Sequence, residues 1–402
     1  MKILLSTTAI TLNGGGIASY NNELANTLHC GNEFDLLTTE NIDSYKGFEH
    51  VYSLYRINLK SAKDYANLIV LFNNNHYDLI INSDSSVISV IAPFLKAPIV
   101  TVSHTFNNMP AIEAGYNSKY VQRIIALSVA GKGFLDSYFN IEDSKKVVSL
   151  YNFVQHKVEF SDSKSTNKCL NIVFPGGASM MKYPEMILGA VNRLVKTDLN
   201  FKFFWLGNLR LPLAGLSLPK TIDQLAQKDK RVVFTGRIPR HEAQKIYDEA
   251  NVFLLPSRAE GCPVSLVEAM CSGCIPIVGS AKHVCREILD DGEFGIVVKQ
   301  GSSEELYNAL VDVITNHDKY LYNYKKTYEY SMNKLSASVW RTRMIEIFTD
   351  ALACQKQYIP FSKLSFYKSY YIFKYHERKL LLKDRILSLK GYFKFNFLYL
   401  TR

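Results

Sequence analysis

Two carboxylates, Glu260 and Glu268, lie in the run Pro256-Ser-Arg-Ala-Glu260-Gly-Cys-Pro-Val-Ser-Leu-Val-Glu268-Ala-Met. A carboxylate accepts charge-assisted hydrogen bonds from neighbouring hydroxyls, and such bonds are the stronger kind. Gly261 and Pro263 mark a loop that turns into a helix, with Pro263 near the first helical position. Glu268 then falls about one turn inside that helix. The start of the helix, at Val264, Ser265 and Leu266, offers backbone N–H groups to an anion such as a diphosphate. Two hydroxyl acceptors around an anion site suit a ligand with a phosphate middle and hydroxyls at both ends. A nucleotide sugar is such a ligand.

The elements that must position this pair follow from the apolar pattern. Asn251-Val-Phe-Leu-Leu before Pro256 reads as a buried strand, so one carboxylate follows a strand's carboxyl end and the other sits on the next helix. Ligands of open α/β sheets bind at that edge. Strands are predicted over 2–6, 34–38, 78–82, 98–102, 123–127 and 146–150, with a helix opening at Gly14-Gly-Gly and running to about Leu28. The pattern restarts after the polar stretch 161–168, which reads as a linker. Further strands are predicted over 170–174, 201–206, 232–235, 252–255, 275–278 and 295–298, with helices over 183–195, 241–250, 265–272 and 304–314. Strand–helix alternation implies parallel sheets covered on both faces. The predicted architecture is two doubly wound domains, 1–160 and 161–335, facing across a cleft, then a crossover helix over 336–354.

Composition sets further bounds. A chain of 402 residues exceeds one typical domain, and 47% apolar content is ordinary for a globular protein. No apolar run reaches the roughly 18 residues of a spanning helix. The start, Met1-Lys-Ile-Leu-Leu-Ser-Thr-Thr, reads as a first strand and not as a signal peptide, which predicts a cytoplasmic protein. The seven cysteines have no framework spacing. Cys262, Cys271, Cys274 and Cys285 with His283 could suggest zinc, but one C-x-x-C without a second pair is weak. Cys271 and Cys274 flank Gly273 and read as small residues at a helix–strand junction.

The end of the chain differs. Residues 355–402 hold eleven Lys and Arg against two acids, hence +9 of the formal +10, and thirteen Tyr or Phe. Cations interleaved with aromatics suit an anionic membrane surface. A helical extension packed on the first domain is the second reading and nucleic acid the third; of these, membrane contact is the expectation carried forward.

The set Val233-Phe-Thr-Gly236, Tyr247-Asp-Glu-Ala-Asn251, Pro256-Ser257, Glu260-Gly261, Glu268-Ala-Met270, Gly273 and Pro276 resembles, in order and spacing, the donor signature of retaining glycosyltransferases of family 4. The resemblance runs over about residues 1–350 and implies the GT-B fold. It implies that Glu260 contacts the donor sugar and Glu268 the ribose hydroxyls. Lys182, in Phe174-Pro-Gly-Gly-Ala-Ser-Met-Met-Lys182, takes the place of the family's diphosphate lysine, a cation that stabilises a leaving phosphate. The family's accompanying arginine is replaced by Gly177, with Arg210 or Arg237 as substitutes. The loop Gly14-Gly15-Gly16 is similar to the family's first glycine loop and would face phosphate or acceptor. His104 is similar to a histidine at the mouth of the cleft, where it would bond the donor sugar or polarise the acceptor hydroxyl. Ser128 and Asn152 also resemble family positions at strand ends.

These implications add up to transfer of a sugar, of hexosyl or N-acetylhexosaminyl type, from a UDP- or GDP-linked donor to a hydroxyl with retention. The expected route is front-side, with no metal and no cofactor beyond the donor substrate. The expected acceptor is a glycan or lipid-linked glycan of bacterial surface polysaccharide or lipopolysaccharide, met at the inner face of the membrane. A sugar-nucleotide epimerase of similar fold and a non-catalytic nucleotide-sugar binder are the alternatives.

Overall fold

The computed structural model describes residues 1–371 except 12–14, 58, 60, 105–113, 142, 144, 155–159, 161–163, 165–168, 178–179, 208–223, 259, 281–283, 363–364 and 368–369. The chain forms two units, Met1–Leu150 with Arg341–Arg402, and Tyr151–Trp340.

The first unit is built on seven strands: β1 (Lys2–Thr7), β2 (Glu33–Thr38), β3 (Val51–Ser53), β4 (Leu79–Ser83), β5 (Ile99–Ser103), β6 (Arg123–Ala126) and β7 (Val147–Ser149). Their order is β3-β2-β1-β4-β5-β6-β7, and the pairs are parallel. The continuous apolar runs follow from burial on both faces; Ile3, Leu4 and Leu5 are fully buried, as are Ile124 and Ile125. The chain steps outward from β1 to β3 and then returns to lay β4 beside β1. The order therefore reverses between β1 and β4, which is where a parallel sheet opens a crevice at its carboxyl edge.

The second unit repeats the device with β8 (Leu170–Pro175), β9 (Phe201–Leu206), β10 (Val232–Gly236), β11 (Val252–Leu255), β12 (Ile275–Gly279) and β13 (Ile296–Val298), ordered β10-β9-β8-β11-β12-β13. Its reversal falls between β8 and β11, which are paired in parallel. Both sheets and their helices are those of the GT-B fold.

Five features depart from the sequence reading. The short strand β3 and the long helix His317–Leu335 were not predicted. The division falls after Leu150 and not at 160, because Val154 bridges Ser336 and the Phe153 ring stacks on Trp340, 4.0 Å between centroids. Within the stretch read as a linker, Lys164 is buried, and its amine donates to the carbonyls of Tyr247 (3.0 Å) and Ser272 (2.5 Å). The first part of the basic aromatic tail packs on the first unit, as the second of its three readings has it. Phe366 is fully buried against Phe94 (5.6 Å), Tyr370 packs on Tyr65 (5.2 Å), and the Ile359 N–H donates to the Pro93 carbonyl at 2.6 Å. Lys356 donates to the carbonyls of Ala92 and Tyr120; burial, with repulsion from Lys146, pushes its amine down to about 7. The remainder, 372–402, lies outside the described residues. Among the described residues no helix is long and apolar enough to cross a membrane.

Candidate active site

In the second unit, Lys182 ends the single helical turn Met180–Lys182 after β8, and Glu260 follows β11. Because β8 and β11 are neighbours at the reversal, the two loops meet. The Lys182 Nζ lies 2.6 Å from Glu260 Oε1, with the side chains 27% and 12% exposed. The loops are also tied by the Arg258 N–H, which donates to the Met181 carbonyl at 2.8 Å. The Arg258 guanidinium lies 3.5 Å over the Tyr183 ring and pairs with Glu185. Tyr183 holds a left-handed backbone, φ 56°, which costs about 1 kcal/mol or more in a non-glycine residue. The stacked guanidinium holds that turn beside Lys182.

The Glu260 loop is clamped further along. Gln300 Nε2 donates to the carbonyls of Pro256 (3.1 Å) and Ser257 (3.2 Å). Asn152 donates its backbone N–H to Cys262 Sγ (3.2 Å) and its amide to the Cys262 carbonyl. The helix Val264–Cys271 then begins, with Pro263 as its N-cap. Of the three amides expected to face an anion, that of Leu266 is already bonded to the Pro263 carbonyl at 3.1 Å. The N–H groups of Val264 and Ser265 meet no partner among the described residues.

Glu268 is buried, and its Oε1 accepts from Arg240 Nε at 2.7 Å. Arg240 is the first residue of the helix Arg240–Glu249. A cation there opposes the helix dipole, so this place is favoured through the Glu268 partner. Arg237 is exposed after β10, two strands from β8 in the sheet order. The arginine that the structure sets on Glu268 is Arg240. Gly177 belongs to a backbone contact: a β-carbon at Gly207 would stand 2.8 Å from Gly176 C and Gly177 N. Arg210 lies outside the described residues.

In the first unit, His104 follows β5, is buried, and bonds Ser83 Oγ through Nε2 at 2.8 Å. Burial pushes its imidazole down to about 3. The Tyr20 ring meets it edge-on, 4.7 Å between centroids. Gly15 has φ 67°, and a β-carbon on Gly15 or Gly16 would meet nothing within 4 Å; Gly14 is outside the described residues. Glu40 fixes the strand-end loop before them, accepting from the N–H of Ile10 (2.8 Å) and Thr11 (2.9 Å). Ser128 caps the helix Val129–Tyr138 through the Gly131 N–H, 2.9 Å, and Asn152 braces the Cys262 loop, so both have structural work.

Cys271 and Cys274 are buried at the helix–strand junction, where Gly273 has φ 76°. Burial pushes the Cys262 and Cys271 thiols up to about 12. Among the described residues no group of three or more His, Cys, Asp or Glu is placed to hold a metal ion; His283 lies outside them. Sequence reasoning missed Arg240, Arg258, Ser83 and Asn21. Only Arg240 carries a sequence signal, a cation at a predicted helix start.

Residues 170–316 match the family model described as Glycosyl transferases group 1. A Salmonella typhimurium relative named for colanic acid biosynthesis is 32% identical over 99 residues, which is 23% of this chain and 24% of that protein. The chain thus spans about a quarter of the length of that relative. A Campylobacter jejuni α-1,4-N-acetyl-D-galactosaminyltransferase, named for an undecaprenol-diphosphate-linked glycan, is 26% identical over 77% of this chain and 88% of its own. Among solved structures, Anabaena Alr3699/HepE in complex with UDP-glucose superposes with a TM-score of 0.68, at 15% identity, over 87% of this chain and 99% of that one.

Proposed function

We propose that this protein is a retaining glycosyltransferase of family 4. It moves a hexosyl or N-acetylhexosaminyl group from a UDP- or GDP-linked donor to a hydroxyl of a glycan or lipid-linked glycan in surface polysaccharide assembly. The observation that carries the reading is the meeting of Lys182 and Glu260 at the strand-order reversal, beside a helix start with two amides that meet no partner among the described residues. A diphosphate would take Lys182 and the amides of Val264 and Ser265. The donor sugar would take Glu260, and the ribose would take Glu268, which Arg240 holds in place at 2.7 Å. Proximity and charge stabilisation of the leaving phosphate supply the rate. In the front-side route the new glycosidic C–O bond forms as the sugar–phosphate C–O bond breaks. The hydroxyl proton passes to the departing phosphate oxygen. The group 1 match over 170–316 and the sugar-polymer context of the relatives support the same reading.

Incubation with a panel of nucleotide sugars and a lipid-linked acceptor mixture tests it, with product stereochemistry read by NMR. Transfer that survives chelator and is lost in Glu260→Ala is the expected result. Epimerised donor without transfer, or no binding at millimolar donor, would sink it. We further place the protein at the inner membrane face through residues 372–402, which keep eight cations against two acids. A chain ending at Tyr371 should lose flotation with anionic liposomes while keeping its fold; equal flotation refutes that placement.

A further inference from the structure

At the first unit's strand-order reversal, three side chains from three elements form one hydrogen-bonded chain. Asn21 lies on the helix Gly15–Leu28 after β1, Ser83 ends β4, and His104 follows β5. All three are buried, Asn21 and Ser83 completely. The direction of each bond follows from the groups. Asn21 donates through Nδ2 to the Ala9 carbonyl at 3.0 Å, which can only accept, and to Thr7 Oγ1 at 2.6 Å. Its amide orientation is thereby set, and Oδ1 faces Ser83 at 2.7 Å. That oxygen only accepts, so the single Ser83 proton is spent on Asn21. Ser83 Oγ can then only accept from His104, and the ring proton must sit on Nε2. The other ring nitrogen, Nδ1, keeps a lone pair and meets no hydrogen-bond donor among the described residues. The Asp84 carboxylate accepts from the His104 backbone N–H at 3.3 Å, and the ring packs edge-on against Tyr20.

We propose that Asn21 and Ser83 are positioning residues that lock His104 in the Nε2–H tautomer, so that Nδ1 is a fixed acceptor for a sugar hydroxyl bound at the first unit. His104 then neither donates nor takes a full proton during turnover. It orients a hydroxyl whose proton leaves elsewhere. The buried, uncharged ring agrees with this, because an imidazole with its proton spent on serine gains nothing from a second one. The proposal deepens the transferase reading and rests on it for the ligand, but the tautomer itself does not depend on that reading.

The test uses the full chain without ligand, labelled with 15N-histidine, and assigns His104 by its loss in His104→Gln. Long-range proton–nitrogen spectra should show a pyrrole-type Nε2 and a pyridine-type Nδ1, unchanged between about pH 5 and pH 8. Ser83→Ala should mix the two tautomers, and Ser83→Thr, which keeps the hydroxyl, should restore one. With the donor and acceptor that the panel identifies, Ser83→Ala should lower kcat/KM for acceptor roughly tenfold, with nucleoside diphosphate affinity unchanged and Ser83→Thr close to wild type. A proton on Nδ1, an imidazolium near pH 6, or a Ser83→Ala protein with unaltered tautomer would each overturn the proposal. So would mixed tautomers with unaltered kcat/KM. A wild-type protein that transfers no sugar would refute the transferase reading and leave the tautomer result standing.

Discussion

The carboxylate pair is not two free acceptors awaiting a ligand. Glu260 is bonded to Lys182 and Glu268 to Arg240. On the proposed function, a donor would break the first pair, sending the amine to phosphate and the carboxylate to hydroxyls. Glu260→Gln should therefore abolish transfer while tightening binding of the bare nucleoside diphosphate about threefold, since Lys182 no longer leaves a partner. Lys182→Ala should weaken the same binding roughly tenfold or more. Calorimetry with the nucleotide reads both, and weaker binding in Glu260→Gln contradicts the exchange. The second pair should behave as a unit. Arg240→Ala and Glu268→Ala should each weaken nucleotide binding, and the double variant should fall well short of the sum of the two losses. Additive losses in that cycle would mean that Arg240 does not act through Glu268. Glu260 and Glu268 were legible because their spacing is local, and Lys182, 78 residues from Glu260, through its place after a predicted strand. The partners of Glu268 and His104 were not, because each lies 20 or more residues away and is joined only by strand order.

Strands were legible where burial on both faces writes an unbroken apolar run, as in Ile3-Leu-Leu5 or Val252-Phe-Leu-Leu255. The helix His317–Leu335 was not, for a physical reason. Its buried residues are Tyr320, Tyr324, Thr327, Ser331 and Leu335, a stripe of correct helical spacing made largely of hydroxyl-bearing side chains. Hydropathy misses such a face. The C-terminal segment misled in the opposite way, since its aromatics suggested a surface contact while several of them fill the first unit. Phe366→Ala should destabilise the protein by about 3–5 kcal/mol, a loss typical of a buried ring, read by denaturant unfolding. A loss under about 1 kcal/mol would show that the segment does not complete that core.

At the scale of the whole molecule, two buried bases make stability depend on pH. His104 has its pKa lowered from 6.5 to about 3, so between these values the unfolded chain binds a proton that the folded chain refuses. Stability must then rise with pH through that window, by about 1.4 kcal/mol per unit from this group alone. His104→Gln should flatten the slope below about pH 6.5; an unchanged slope contradicts the buried neutral ring. Lys356 acts by the same sign between about 7 and its ordinary 10.5.

The segment that supplies Phe366 also has a place in time. A ribosome completes residues 151–340 before it reaches the aromatic residues that close the first unit. The usual amino-terminal-first order of synthesis-coupled folding is therefore inverted for completion. The second unit can finish while the first still exposes the surface around Tyr65 and Phe94 that Phe366 will cover. For that interval the opening 150 residues are the part of the nascent chain that a holding chaperone would recognise.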